Sequence, residues 1–159
     1  MTNQIIFFND LPFLFSSAEL IYFDKIIVKN ENGENVAFEK VIEIATNVKN
    51  FHESGFKAKI LNQFLNFLNK LEHIFLALNE DFDLDEFYSF MKKNKNIKIF
   101  ARFVDPMSEA YKARLELIID EILATKEFIY KPPMIEFNGL DREKYEKLRE
   151  IRNCYKRLY

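Results

Sequence analysis

Residues 56–78 read FKAKILNQFLNFLNKLEHIFLAL and carry the strongest periodic signal in the chain. Their apolar side chains recur every three or four residues, which is the spacing of one helix face. The residues on this face are Leu61, Phe64, Leu68, Leu71, Phe75 and Leu78, and it is widened by Ile60, Leu65, Phe67 and Ile74. A stripe this wide predicts a long central helix that is buried in the core.

Shorter apolar runs on both sides of this helix predict strands at residues 5–8, 20–28 and 97–104. Asn32-Gly33 is a hairpin signal, although the apolar alternation after it is too short to define a returning strand. Further helices are predicted at 38–50, at 84–93, from Asp105-Pro106 onward, and from about residue 141 to the last residue. The prediction is an α+β fold dominated by helices, with two or three short strands packed against the long central helix and a charged C-terminal helix.

The length and composition of the chain favour one globular domain. The chain has 159 residues, of which 48% are hydrophobic, and contains only 3 Gly and 4 Pro. This composition excludes collagen-like and largely disordered proteins. We predict a single α+β domain over residues 1–131. Residues 132–159 are predicted to form a Pro-Pro linker and a C-terminal helix that docks on the same domain.

The charge balance gives no global attraction to nucleic acid or to an anionic membrane. Lys and Arg number 23 against 25 Asp and Glu, for a formal net charge of −2. The single cysteine, Cys154, cannot form an intrachain disulfide, and the N-terminal residues lack the pattern of a signal peptide. We therefore expect a cytoplasmic protein without a membrane partner. The 18 Phe without Trp indicate a bacterial-like, AT-rich genome.

One acidic cluster resembles the beginning of a calcium-binding loop. Asp81, Asp83 and Asp85 have the spacing of the first three ligands of an EF-hand. The position that requires Gly is Glu86, and the position that requires a bidentate Glu is Lys92. We therefore predict that these acids cap a helix, where the helix dipole stabilises negative charge.

The histidines and the cysteine give no clear catalytic pattern. His52-Glu53 and Glu72-His73 are adjacent pairs, and neighbouring residues of a helix point about 100° apart; whether they converge in three dimensions stays open. Cys154 has basic neighbours that would favour a reactive thiolate, although a lone helical cysteine is more often a small buried residue. We assign no catalytic residue, no cofactor and no metal ligand, and we favour a non-enzymatic protein over an enzyme.

The C-terminal helix is the best candidate for partner binding. It carries a narrow apolar seam with a 3-4-3 spacing and a strongly basic remainder. The residues of this hypothesis are Leu148, Ile151, Tyr155 and Leu158 on the seam, with Arg149, Arg152 and Lys156 beside it. Alternatively, the seam docks on the chain's own domain and the cations lie in solvent.

The preferred function is a protein-protein interaction module, that is, an adaptor, a regulator or a chaperone-like protein. Its partner would be another protein or a second copy of the chain in a homodimer. The alternative is a nucleic-acid-associated regulatory or defence protein that uses basic patches at 92–102 and 144–157. The residues of the first patch are Lys92, Lys93, Lys95, Lys98 and Arg102.

Overall fold

The computed structural model describes residues 4–24, 26–54, 71–93 and 95–155. Strands and helices alternate along most of the chain. The strands are β1 (Gln4–Phe7), β2 (Leu20–Asp24), β3 (Ile26–Lys29), β4 (Asn50–Ser54), β5 (His73–Leu78), β6 (Lys98–Phe103) and β7 (Met134–Phe137). The α-helices are α1 (Leu11–Phe15), which follows a 3-10 turn at Phe8–Asp10, α2 (Phe38–Glu43), α3 (Leu84–Lys93), α4 (Glu109–Ala124) and α5 (Arg142–Tyr155).

The largest sheet has five parallel strands in the order β2-β4-β5-β6-β7. Strands β1 and β3 pair in parallel to form a separate two-stranded sheet. The order of the large sheet follows the chain and never reverses. Because crossovers between parallel strands are almost always right-handed, such an order puts the two crossovers that contain α3 and α4 on the same face of the sheet.

One face of the large sheet forms the core. Its side chains are buried on every strand: Ile21, Phe23, Phe51, Ile74, Leu76, Leu78, Ile99, Ala101, Phe103, Ile135 and Phe137. Helices α3 and α4 cover this face, since the ring of Phe103 lies 6.0 Å from the ring of Phe87 and 6.0 Å from the ring of Tyr111. We call it the core face.

Local capping fixes where the described helices begin. The carboxylate of Asp83 accepts hydrogen bonds from the backbone N–H groups of Asp85 and Glu86, both at 2.9 Å, at the start of α3. Asp141 accepts from the backbone of Lys144 at 3.0 Å at the start of α5. These bonds satisfy amides that have no partner within the helix, and they confirm the predicted cap of α3 and the predicted start of the last helix.

The predicted fold class is wrong. The protein is α/β with a five-stranded parallel sheet, rather than a helix-dominated α+β protein with two or three strands. The strands buried in a parallel sheet read as continuous apolar runs instead of alternating ones, so they resemble segments of buried helix. That ambiguity explains why the apolar run of strand β5 also fits the pattern of a helix.

The central helix is the clearest case. Residues 73–78 of the predicted helix form strand β5, the middle strand of the large sheet. The segment HIFLAL is apolar almost throughout and therefore fits the period of a helix as well as that of a strand. Residues 55–70, which carry the rest of the predicted helix, lie outside the described residues.

Two strands of the sheet were missed altogether. Strand β4 begins at Asn50, the last residue of the helix predicted over 38–50, and continues through residues predicted to form a turn; the observed helix ends at Glu43. Strand β7 lies within the predicted linker and pairs with β6. The predicted strands at 5–8 and 97–104 are confirmed as β1 and β6, and the run at 20–28 forms two strands, β2 and β3.

Two turns also differ from the prediction in detail. Gly33 adopts a φ of 78°, as expected for the Asn32-Gly33 turn, but only one isolated antiparallel bridge, between Lys29 and Asn35, follows it. Helix α4 begins at Glu109 with Ser108 as its N-cap, whose hydroxyl accepts from the backbone of Tyr111 at 3.3 Å. Asp105-Pro106 therefore precedes the helix instead of starting it.

Candidate functional site

The second face of the large sheet is only partly covered, and we call it the open face. Its side chains on β2, β4, β5 and β6 are half-buried or exposed, in contrast to the core face. They include Leu20, Tyr22, His52, His73, Phe75, Ala77, Lys98, Phe100 and Arg102. Parallel sheets are usually covered on both faces, so a half-exposed face needs an explanation.

A row of stacked rings crosses the open face. Tyr22, His52, Phe75 and Phe100 are successive register partners on β2, β4, β5 and β6. Adjacent ring centroids lie 4.3, 5.1 and 4.9 Å apart, and the last two pairs are nearly parallel, with interplanar angles of 11° and 15°. The spacing follows from neighbouring strands being about 4.8 Å apart. We call these four residues the aromatic row.

The stacking decides which part of each ring a ligand can reach. His52 and Phe75 each have a ring neighbour on both sides, so their ring faces are covered and mainly their edges remain accessible. Tyr22, at the end of the row, is 60% exposed, and Leu20 beside it on the same strand is 47% exposed. The row therefore offers an apolar surface of ring edges with an exposed aromatic and aliphatic end.

Two arginines lie over the other end of the row. The guanidinium of Arg102 is 5.8 Å from the ring centroid of Phe75 and 6.0 Å from that of Phe100, and it forms an ion pair with Glu136 at 3.1 Å. The guanidinium of Arg152 is 5.8 Å from the ring centroid of Phe100. All three distances between a guanidinium and a ring centroid are within reach of a cation–π interaction.

Further cations lie near Arg152, at the amino-terminal ends of β5 and β6. Lys98 is the register partner of His73, and the ammonium of Lys131 donates to the backbone carbonyl of Asn96, just before β6. We call His73, Lys98, Lys131 and Arg152 the cationic corner. Burial lowers the pKa of His73, and the charges of Lys98, Arg152 and Lys131 lower it further, against an opposing effect of Glu72.

Both histidines of the open face bind a proton less readily than an exposed imidazole. Burial lowers the pKa of His52, and burial followed by nearby cations lowers the pKa of His73, both from an ordinary value of 6.5. The ring of His52 therefore acts in the row as a neutral aromatic group. The sequence left open whether the histidines meet carboxylates in a site, and no group of three or more His, Cys, Asp or Glu with metal-binding geometry occurs within the described residues.

The predicted partner-binding helix is largely docked on the rest of the chain. Leu148 is fully buried, and the hydroxyl of Tyr155 donates to the backbone carbonyl of Phe128 at 3.0 Å. Ile151 is half-buried, and Arg149 forms an ion pair with Glu146 at 3.4 Å. Lys156 and Leu158 lie outside the described residues. The hypothesis that this helix binds a partner stays a prediction, and Arg152 is the member that reaches the open face.

A groove of about 800 Å³ lies between α5 and the segment that follows α4. Its walls include Leu123, Phe128, Ile151 and Cys154. The thiol of Cys154 is exposed, so the expectation of a buried cysteine is wrong. The charged residues that line the groove are two cations and two acids, and they therefore give no charge pattern that defines a ligand: Lys126, Lys147, Glu127 and Glu150.

The predicted basic patch is divided between two sides of the sheet. Lys98 and Arg102 belong to the open face, whereas Lys92 and Lys93 lie on α3, which packs on the core face. Lys92 pairs with Glu121 at 2.8 Å and lies 3.9 Å from the ring centroid of Tyr88. Lys95 is exposed in the turn before β6. The patch therefore does not form one continuous cationic surface.

A second exposed apolar patch lies at the amino-terminal end of the chain. Ile5, Phe7, Phe13 and Leu14 are all exposed, and Phe13 is the most exposed of the large hydrophobic side chains in the described part of the chain. They line a shallow depression of about 500 Å³ together with Ile6, Asn9 and Asp10. This patch has no cations and one acid, so it defines its partner less well than the open face does.

Comparisons with known proteins add no function to this geometry. No protein-family model, no curated protein and no solved structure matches the chain. In the part of the chain that the structure describes, no helix has the length and apolar character needed to cross a membrane. The open face is therefore interpreted from its own chemistry.

Proposed function

We propose that this chain is a protein-binding module, and that a segment of a partner protein lies on the open face. The observation that carries the proposal is the half-exposed aromatic row on an all-parallel sheet. Contiguous exposed apolar surface rimmed by polar groups is typical of protein interaction sites. The exposed Leu20 and Tyr22 extend the apolar surface to the β2 edge.

The stacking of the row favours a protein over a nucleic acid. Proteins that bind single strands offer ring faces on which bases stack. Here the faces of His52 and Phe75 are already covered by neighbouring rings, whereas ring edges suit the aliphatic and aromatic side chains of a polypeptide. The net charge of −2 adds no general attraction to phosphate.

The role that we propose is therefore that of an adaptor, a regulator or a chaperone-like protein. We expect it to work in the cytoplasm, because the one cysteine of the chain is an exposed free thiol, which is stable in a reducing compartment. Nothing in the aromatic row or the cationic corner resembles the paired nucleophile and base of a covalent enzyme. The proposed activity is binding.

Site-specific photo-crosslinking tests this proposal. A photoreactive phenylalanine analogue replaces Tyr22 on the open face or Leu117 on α4, and each side chain is 60% exposed in the native protein. Irradiation in native lysate should give a discrete protein adduct from position 22 and none from position 117. A nuclease-sensitive adduct at position 22, or equal labelling at both positions, would contradict the proposal.

A matched pair of substitutions shows whether the adduct depends on the open face. Leu20→Glu puts a charge beside the aromatic row, and Leu14→Glu puts one at a site of similar exposure, 49% against 47%, in the amino-terminal patch. We expect Leu20→Glu to reduce the adduct at least fivefold, because a carboxylate would have to be desolvated against the partner. Leu14→Glu should leave the adduct unchanged. Equal losses would argue against the open face as the binding surface.

A further inference from the structure

Arg152 is the one described arginine that is half-buried rather than exposed, and it has no acidic partner in the described part of the chain. Its Nε atom is buried and has no hydrogen-bond partner among the described residues. Arg102, Arg114 and Arg149, which are all exposed, form ion pairs with Glu136, Asp85 and Glu146. The most desolvated guanidinium among the described arginines thus has no ion pair.

An unpaired and partly buried guanidinium is an unusual arrangement. Moving a charge out of water is unfavourable unless a counter-charge or hydrogen bonds replace the lost hydration. Buried donors without a partner are rare in native proteins, and a water, an ion or a ligand can supply the acceptor. The interaction with the ring of Phe100, at 5.8 Å, covers one side of the guanidinium but gives its Nε–H no acceptor.

The surroundings of Arg152 favour an anion. Lys98 and His73 are neighbours on strands β6 and β5, and the ammonium of Lys131 contacts the backbone of Asn96 just before β6. Glu72, just before β5, is the described acid that opposes these cations in their effect on the pKa of His73. Arg152 and Lys131 by themselves outnumber this acid, although the whole chain is slightly acidic.

We propose that the cationic corner is an oxyanion-binding site, and that its ligand is the carboxylate of an Asp or Glu side chain in the partner segment. The planar guanidinium can donate from its two Nη groups to the two oxygens of a carboxylate, whereas the buried Nε–H is reached only if the side chain moves. The adjoining aromatic row binds the apolar side chains of the same segment. The existence of the oxyanion site is independent of the proposed function, whereas the partner as the source of the carboxylate rests on it.

The geometry specifies the kind of sequence that would bind. Arg152 lies over Phe100, so the carboxylate lies at the β6 end of the aromatic row and the apolar side chains lie toward Tyr22. A segment that crosses the strands should therefore carry an acidic residue at one end and aromatic or aliphatic residues along the rest. Among the residues that the structure describes, the corner includes no Gly-rich backbone loop that would cradle a phosphate, which favours the carboxylate.

Arginine side-chain NMR on the full chain tests the oxyanion site without knowledge of the partner. Acetate and inorganic phosphate are titrated separately against the ¹H–¹⁵N resonances of the Arg Nε–H groups, with chloride used to keep the ionic strength constant. We expect the Arg152 signal to shift saturably with acetate, with a Kd in the roughly millimolar range that suits so small a ligand. The Arg149 signal, from the same helix, should not saturate.

Two variants make the test specific. Because Arg152→Lys also removes the Arg152 Nε–H signal, its effect is followed through the backbone amide signals of Lys98 and Phe100. Their saturable shift with acetate should disappear, since an ammonium lacks the planar fork; Arg149→Lys is the matched control and should preserve it. Lys131→Met should weaken acetate binding several-fold while leaving the Arg152 signal in place, and it gives a second measurement if Arg152→Lys does not fold.

Each other outcome would overturn part of the proposal. Equal, non-saturating shifts of Arg149 and Arg152 would show charge screening alone and would overturn the oxyanion site. Binding of phosphate at least tenfold tighter than binding of acetate would overturn the carboxylate as the ligand. Neither result depends on photo-crosslinking at position 22, so failure of the oxyanion site and failure of the proposed function are distinguishable.

Discussion

On strand β6, Ile99, Ala101 and Phe103 are buried on the core face, whereas Lys98 and Phe100 lie half-buried on the open face. The same strand thus supports two surfaces with different chemistry. The core face has buried apolar side chains on every strand and is covered by helices. The open face combines stacked rings with cations and both histidines, which are groups that remain able to interact with a ligand.

This difference shows that one parallel sheet can place the residues that stabilise the fold on one face and the residues available for binding on the other. The residues that drive folding are collected on one face, where their burial contributes most to the free energy of folding. The other face can then carry groups that would be unfavourable in a core. The comparison predicts that substitutions on the two faces have effects of different size and kind.

The largest expected difference in the free energy of unfolding is between the alanine variants of two phenylalanines of β6. Phe103→Ala should lower the free energy of unfolding by about 3–5 kcal/mol, because Phe103 is buried against Phe87 and Tyr111. Phe100→Ala should lower it by about 1–2 kcal/mol, because the ring is half-buried and loses mainly its stacking on Phe75. Urea unfolding of both variants measures the difference. Equal losses would show that the open face is packed like a core.

A smaller loss in the free energy of unfolding is expected when the N-terminal cap of α3, one of the helices that cover the core face, is removed. Asp83→Ala should lower the free energy of unfolding by about 1 kcal/mol, since Asp83 accepts hydrogen bonds from two amides at the start of α3. Asp81→Ala is the control and should change stability by no more than about 0.5 kcal/mol, because Asp81 is exposed and contacts the side chain of Asn79. Thermal unfolding measures both. A rise in Tm with added calcium that both variants lose would instead support the calcium-loop interpretation.

The open face should make stability depend on pH. Burial lowers the pKa of His52, and burial with nearby cations lowers that of His73, both below the ordinary value of 6.5. The unfolded chain therefore binds protons near pH 6.5, while the folded chain binds them only at lower pH. Stability is then fully present above about pH 7 and decreases as the pH falls through 6.5 toward the folded-state pKa values.

Substitution of the histidines separates this effect from the titration of carboxylates. His52→Gln and His73→Gln should each reduce the slope of stability against pH between about pH 7 and 5.5, and the double variant should nearly remove it. Chemical unfolding at several pH values measures the slope. If the double variant kept the full slope, the pH dependence would originate outside the open face.

The two faces also differ in how well the sequence predicts them. Strand β6 and the cap of α3 were predicted because their signals are local: apolar alternation over residues 97–104 and an acidic cap before an apolar run. Strand β4, with the sequence NFHES, has a single buried apolar residue, Phe51, and gives no such signal. Strand β5 gives an apolar run that fits the period of a helix as well as that of a strand.

The aromatic row was not predictable from local patterns. Its rings come from β2, β4, β5 and β6, which are far apart in the sequence, and they meet only because the strands pair in a particular register. A shift of one residue in that register would move each ring to the other face. Arg152 was selected as part of a helix seam, whereas its position over Phe100 depends on how α5 packs beside β7.

The smallest expected effect is also the sharpest test of the contrast between the faces. Arg152→Met keeps an apolar chain of similar length over Phe100 and removes the unpaired charge. The variant loses a cation–π interaction of about 0.5–1 kcal/mol, but it no longer has to desolvate a guanidinium without a counter-charge. We expect the free energy of unfolding without oxyanion to change by no more than about 0.5 kcal/mol, by urea unfolding in chloride buffer. A loss of about 2 kcal/mol or more would show that the charge is already compensated within the chain. The cationic corner would then stabilise the fold rather than bind a ligand.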